Sequence, residues 1–241
     1  MTDPASRLQP VKIPLDEAAD GVEAVSGYLG VPEWWPTGSR IGVLLAHGSG
    51  RNVDDPLLAS LQRGLTERKY LVLRFNFPFA EAGRQRPDPM PVLERVFRHA
   101  VAVLARDPSA APAHLFIGGI GIGAQVAVQC AAARLRVDGV FALGLPLHSR
   151  DNPDKNLRAD SLFRVVSPLL FIQGTRDRTC DLDALRRTLT RVGAPKTLHV
   201  IEEADHTLAV PRRSGRAQED VHAEILEAVD LWCRRVIGEV R

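Results

Sequence analysis

The 241-residue sequence predicts an α/β protein with a mostly parallel central sheet covered by helices on both faces. Three observations carry this. Short apolar runs alternate along the chain with amphipathic or alanine-rich helical segments. The runs lack in–out alternation, as expected of strands buried on both faces. Glycine-containing loops follow several of them, where strands hand over to helices. The length suits one large domain spanning residues 1–241.

Taken in order, residues 1–14 are polar and lack the apolar core of a secretory leader. Residues 22–31 read as an early strand. Residues 32–38, with Trp34 and Trp35, form a turn, and 40–46 is a short apolar run, as expected of a strand buried on both sides. Asp54 or Asp55 is placed to cap a helix that begins at Pro56 and runs to about residue 68. Residues 70–75 are the next strand, and 76–91 a long loop rich in proline and arginine. A helix over 92–106, a strand over 114–118 and an alanine-rich helix over 122–135 follow. Residues 140–145 form a strand, and the polar stretch 146–164 is short for a lid, so any lid is minimal. Strands over 169–173 and 196–201 alternate with helices over 182–192 and 219–237. Asp181 fits the cap of the 182–192 helix.

Composition excludes several functions. Hydrophobic residues are 45% and charged residues 25%, an ordinary globular balance. A net charge of +2, without a basic run interleaved with aromatics, gives no case for nucleic acid. Cys130, Cys180 and Cys233 are scattered and odd in number, which argues against a disulfide framework and a zinc site. No apolar run approaches the roughly 20 residues that span a bilayer. A cytoplasmic protein with no membrane partner is the expectation.

In an open parallel sheet, ligands sit beyond the carboxyl ends of the strands. The residues just after the strands are His47-Gly48-Ser49-Gly50, Asn76-Phe77-Pro78 and Gly119-Ile120-Gly121-Ile122-Gly123. Later come Pro146-Leu147-His148, Gly174-Thr175-Arg176-Asp177 and Glu203-Ala204-Asp205-His206. Phe75, Phe77 and Phe79 alternate and so share one face, as core or as a pocket wall. Asp205 adjoins His206 in the chain and is a poor partner for it. Arg51, Arg84 and Arg86 read as solvated loop residues, with attraction of an acidic ligand as the sharper alternative. Cys130 reads as core.

This order resembles the α/β-hydrolase superfamily, in which a nucleophile elbow G-x-S-x-G is followed by an acid and then a histidine. The strings LLAHGSG, LRFNFP, FIGGIGIGAQ, LGLPLH, FIQGTRD and ADHTL, spread over residues 43–208, are similar to the dienelactone-hydrolase-like group that includes testis-expressed protein 30 and NSL-complex subunit 3. The resemblance implies an esterase-type site with Asp177 as acid and His206 as base. Gly48, Ser49, Gly50 and Ile122 then lie at the oxyanion loop and elbow, and Phe77 and His148 at the pocket. It implies no cofactor and no metal, and a small ester-like or carboxylate ligand. Self-association as a homodimer stays open.

The departure is at the elbow itself. Gly121 stands where the family carries its serine, and glycine cannot attack a carbonyl. Loss of the hydroxyl is expected to lower acyl transfer by roughly 10⁶-fold, by analogy with other triads. The chain then reads as a natural pseudoenzyme or a nucleophile-substituted variant, inactive or strongly impaired in ester hydrolysis. Two alternatives stand beside it: general-base catalysis by His206 and Asp177 without a covalent intermediate, and a non-catalytic binding or scaffold module. A minor alternative is dinucleotide binding at 119–124, which fits G-x-G-x-x-G/A in form. The acid that this fingerprint needs is misplaced, because Asp138 precedes the following strand.

Overall fold

The computed structural model describes residues 7–106, 111–149, 152–156 and 159–240. The chain forms two compact units, Met1–Ile117 and Gly118–Arg241, whose boundary falls inside one strand. Its main strands are mostly parallel, in an α/β architecture with helices packed on them.

The first unit contains β1 (Arg7–Ala19), β2 (Val22–Val31), β3 (Ile41–Ala46), α1 (Pro56–Glu67), β4 (Leu71–Phe75), α2 (Pro78–Glu81) and α3 (Met90–Ala105). The strand order is β1-β2-β4-β3. β1 pairs antiparallel with β2, and β2 antiparallel with β4, while β3 and β4 are parallel. Every residue of β3 and β4 is buried, as their unbroken apolar runs require. Helices α1 and α3 both pack on these strands. Asp55 is the cap of α1, accepting from the N–H of Leu57 at 2.9 Å and of Leu58 at 3.2 Å, with Pro56 as the first helical residue. Asp54 stays exposed.

Two readings need correction here. The polar N-terminal segment is a strand from Arg7 onward; Pro10 and Pro14 and a mostly exposed pattern hide it, because β1 lies at a sheet edge. The expected loop at 76–91 contains the short helix α2, which starts on a proline.

The second unit contains β5 (His114–Ile120, begun in the first unit), α4 (Ile122–Ala132), β6 (Gly139–Leu143), β7 (His148–Ser149) and β8 (Asn152–Asn156). It continues with α5 (Ala159–Leu162), β9 (Leu169–Gly174), α6 (Leu182–Leu189), β10 (Lys196–Ile201) and α7 (Gln218–Val236). The main strand order is β5-β6-β9-β10, with β6–β9 and β9–β10 parallel. The polar stretch after β6 holds the β7–β8 antiparallel pair and the one-turn α5. Asp181 caps α6 as expected, accepting from the Ala184 N–H at 2.7 Å. Cys130, Cys180 and Cys233 are all buried, and none is in a disulfide. Among the described residues, no helix is long and apolar enough to cross a membrane.

Candidate active site

Gly121 joins β5 to α4 with φ +56° and ψ −112°. This is a region that L side chains enter only under strain. Its N–H donates to the Leu143 carbonyl at 2.9 Å, and its carbonyl accepts from the Gln125 N–H at 3.1 Å, so the turn is held from both sides. A Cβ built on Gly121 meets no atom within 4 Å. The sharp turn is thus present with the space for a side chain, while the side chain is missing. The next residue, Ile122, opens α4, where backbone N–H groups lack intrahelical acceptors.

Asp177 follows β9 and is 8% exposed. One carboxylate oxygen accepts from the Thr179 N–H at 2.6 Å and the Thr179 hydroxyl at 2.7 Å. The other accepts from the amide of Gln173. Burial pushes the Asp177 carboxyl above the usual carboxylate range; Thr179, the charge of His206 and Gln173 pull the other way without overcoming it. Gln173 is the one polar side chain in the strand LLFIQG, and it is fully buried. A polar residue in such a strand signals a partner, and this one fixes the acid.

His206 sits in the loop after β10. Two glycines let that loop approach the strand ends. A Cβ on Gly144 would stand 2.2 Å from the His206 carbonyl oxygen, and one on Gly174 would stand 2.1 Å from the Ala204 oxygen. The Arg176 N–H donates to the same Ala204 oxygen at 2.8 Å. Asp205 Oδ1 accepts from the Thr207 N–H at 2.7 Å, the Thr207 hydroxyl at 2.8 Å and the Ala209 N–H at 3.2 Å. Burial raises the Asp205 carboxyl, but these bonds and the charge of His206 leave it below the ordinary range. Asp205 therefore holds its own loop in shape. Gln218, at the start of α7, adds two bonds, to the Val210 N–H at 3.1 Å and the Leu208 carbonyl at 3.0 Å. Beside His206 lies a cleft of about 430 Å³ walled by Arg176, Arg178, Glu203 and Val210. Sequence reasoning did not single out Gly144, Gly174 or Arg178, whose roles depend on loops converging in space.

His148 is buried, and its Nε2 accepts from the Asp181 N–H at 3.1 Å. That nitrogen ties the segment after β6 to the start of α6. Asp138 immediately precedes β6, at the strand's amino end, so the acid of a dinucleotide fingerprint is indeed misplaced.

In the first unit, His47 and Gly48 are buried, while Ser49 and Gly50 are exposed. His47 Nε2 accepts from the Phe77 N–H at 3.0 Å and Nδ1 donates to the Gly48 carbonyl at 2.9 Å, which fixes the neutral tautomer protonated at Nδ1. Phe77 and Phe79 are fully buried, each with its ring centroid 5.2 Å from that of His47. They form core around this histidine. Arg51 pairs with Asp55 at 2.5 Å and Arg84 with Asp88 at 2.8 Å, so both act in loop structure. Among the described residues, no group of three or more His, Cys, Asp or Glu side chains is placed to hold a metal ion.

A parallel α/β sheet with a tight strand–helix elbow, an acid after a later strand and a histidine after the last strand defines the α/β-hydrolase class. Residues 39–234 match the family described as "Alpha/beta hydrolase domain", and the chain belongs to it. Solved structures agree on the fold. A dienelactone hydrolase from Anabaena variabilis superposes with a TM-score of 0.69 at 22% identity, covering 92% of this chain and 96% of that one. A lidless α/β serine hydrolase from Xanthomonas campestris gives 0.69 at 20% identity, covering 95% of each chain. An esterase from Pyrococcus furiosus gives 0.72 at 15% identity, covering 95% and 93%.

Proposed function

We propose that this chain is an α/β hydrolase of serine-esterase type that carries glycine at its nucleophile position, and that ester hydrolysis is in consequence abolished or strongly impaired. The observation that supports this most directly is the backbone of Gly121. An ordinary strand–helix turn has no reason to hold φ +56° and ψ −112° with open space around the absent Cβ. Asp177 and His206 take the acid and base places. In a working triad the carboxylate holds the imidazole in one tautomer, and the imidazole takes the proton of the nucleophile. The Thr179 and Gln173 bonds to Asp177 supply the rigidity that this role needs. The Ile122 N–H at the head of α4 is the donor we assign to a developing oxyanion. The ligand class we assign is a small ester or carboxylate, in keeping with a minimal lid.

The test is Gly121→Ser, assayed on nitrophenyl acetate. The expected result is a gain in turnover of up to about 10⁶-fold over the parent chain, abolished by a further His206→Ala. A folded Gly121→Ser chain with no gain would refute the missing-nucleophile reading. A second reading is favoured by the cleft beside His206: a general base acting on bound water. This contributes only about 10²–10⁴-fold. It predicts measurable hydrolysis by the parent chain that His206→Ala removes.

A further inference from the structure

Helix α1 and strands β1, β2 and β4 enclose a second cleft, of about 320 Å³, far from the acid and histidine in sequence. At its base is Arg74, an arginine in the middle of the buried strand LVLRF and only 6% exposed. A buried cation is costly unless paired. Arg74 Nε donates to Gln62 Oε1 at 2.6 Å, Nη1 donates to the Val53 carbonyl, and the guanidinium lies 4.6 Å from the centre of the Tyr28 ring. These contacts orient it without neutralising it. The carboxylate in reach is Asp54, 3.4 Å from Nη1, with a side chain 66% exposed, so solvent screens that pair.

The rest of the cleft repeats the same sign. Arg7 and Arg63 line it together with Arg74, and among the described residues no Asp or Glu does. Ala59, Gln62, Arg63 and Thr66 fall at i, i+3, i+4 and i+7, so α1 turns one face towards it. The polar atoms of that face other than guanidinium are already engaged. Gln62 Nε2 donates to the Tyr28 and Val72 carbonyls at 2.6 and 2.9 Å, and the Thr66 hydroxyl donates to the Gln62 carbonyl at 2.7 Å. What remains to meet a ligand is guanidinium N–H, a donor-only chemistry suited to planar anions. Beside it lie the apolar surfaces of Ala59 and of Leu8, which is 55% exposed.

We propose that this cleft is a binding site for a small organic carboxylate, with its anionic end held by Arg74, Arg63 and Arg7 and its apolar body laid on Leu8 and Ala59. The site stands apart from the Gly121 reading and does not depend on it.

The test is titration of the full chain with benzoate, followed by amide NMR shifts. Benzyl alcohol and inorganic phosphate serve as comparison probes. The expected result is saturable binding of benzoate, with shifts concentrated at Leu8, Gly30, Ala59 and Arg63 and an affinity that falls as salt rises. The double variant Arg7→Gln/Arg63→Gln changes only exposed side chains, so it should keep its fold and weaken benzoate about tenfold or more. The proposal is overturned by any of four results. Benzoate fails to saturate, or binds the double variant unchanged. Benzyl alcohol binds as tightly, so that charge is irrelevant. Phosphate binds as tightly as benzoate, so that the apolar wall selects nothing.

Discussion

Replacement of His47 by glutamine should remove a large pH dependence from the stability of this protein. His47 is fully buried, and burial lowers its pKa from 6.5 to about 4, against the partial opposition of the Gly48 carbonyl and the Asp55 charge. The folded state therefore binds fewer protons than the unfolded state between those two values. The stabilisation is complete above pH 6.5, is lost as pH falls towards 4, and changes no further below that. The difference between those two values corresponds to about 3 kcal/mol in the limit, most of it already lost at about pH 4.5. Glutamine retains a donor and an acceptor for Gly48 and Phe77 but does not titrate. Urea unfolding of both chains at about pH 7.5 and about pH 4.5 measures the effect. The stability of the parent relative to His47→Gln should fall by about 2–3 kcal/mol between the two pH values. A change under about 1 kcal/mol would show that the buried, neutral histidine between two phenylalanines is misdescribed.

Other outcomes follow from individual contacts. Gly144→Ala should destabilise by about 3 kcal/mol or more, since the methyl group would stand 2.2 Å from the His206 oxygen at a residue with φ +56°; thermal melts beside Gly193→Ala, whose Cβ meets nothing within 4 Å, give the comparison. Asp55→Ala should cost about 1–2 kcal/mol through loss of the α1 cap, read by chemical denaturation. Glu81 is lowered to about 2 because bonds from Ser26, Asn76 and Lys12 outweigh its burial, so its stabilisation is present above pH 4.5 and lost as pH falls towards 2; Glu81→Gln should flatten that acid limb and leave the His47 window unchanged. Gly121→Ser should also lower stability by about 1–3 kcal/mol through backbone strain, even as it gains turnover, and a stabilising effect would contradict the strained turn geometry.

Much of this was legible from the chain alone, for identifiable reasons. Buried parallel strands leave unbroken apolar runs, so β3, β4, β6 and β9 could be read directly. Proline at the first helical position and aspartate before it marked α1, and Asp181 marked α6. The order of elbow, acid and histidine is a property of sequence, as is the absence of a hydroxyl at Gly121. Edge strand β1 was not legible, because its exposure and its prolines erase the pattern that burial imposes.

The tertiary structure decided which polar groups act on which. Gln173 and Thr179 hold Asp177, Asp205 folds its own loop, and His148 accepts from the Asp181 N–H. Each pairing joins atoms that converge only when strand ends and loops are packed. Sequence spacing carries no distance between them, whereas hydrogen bonds require about 3 Å. The same holds for Gly144 and Gly174, whose missing side chains matter because another backbone passes there. At Gly121 the sequence determined that no side chain is present, and the fold decided the positive φ of the turn and the open space around it.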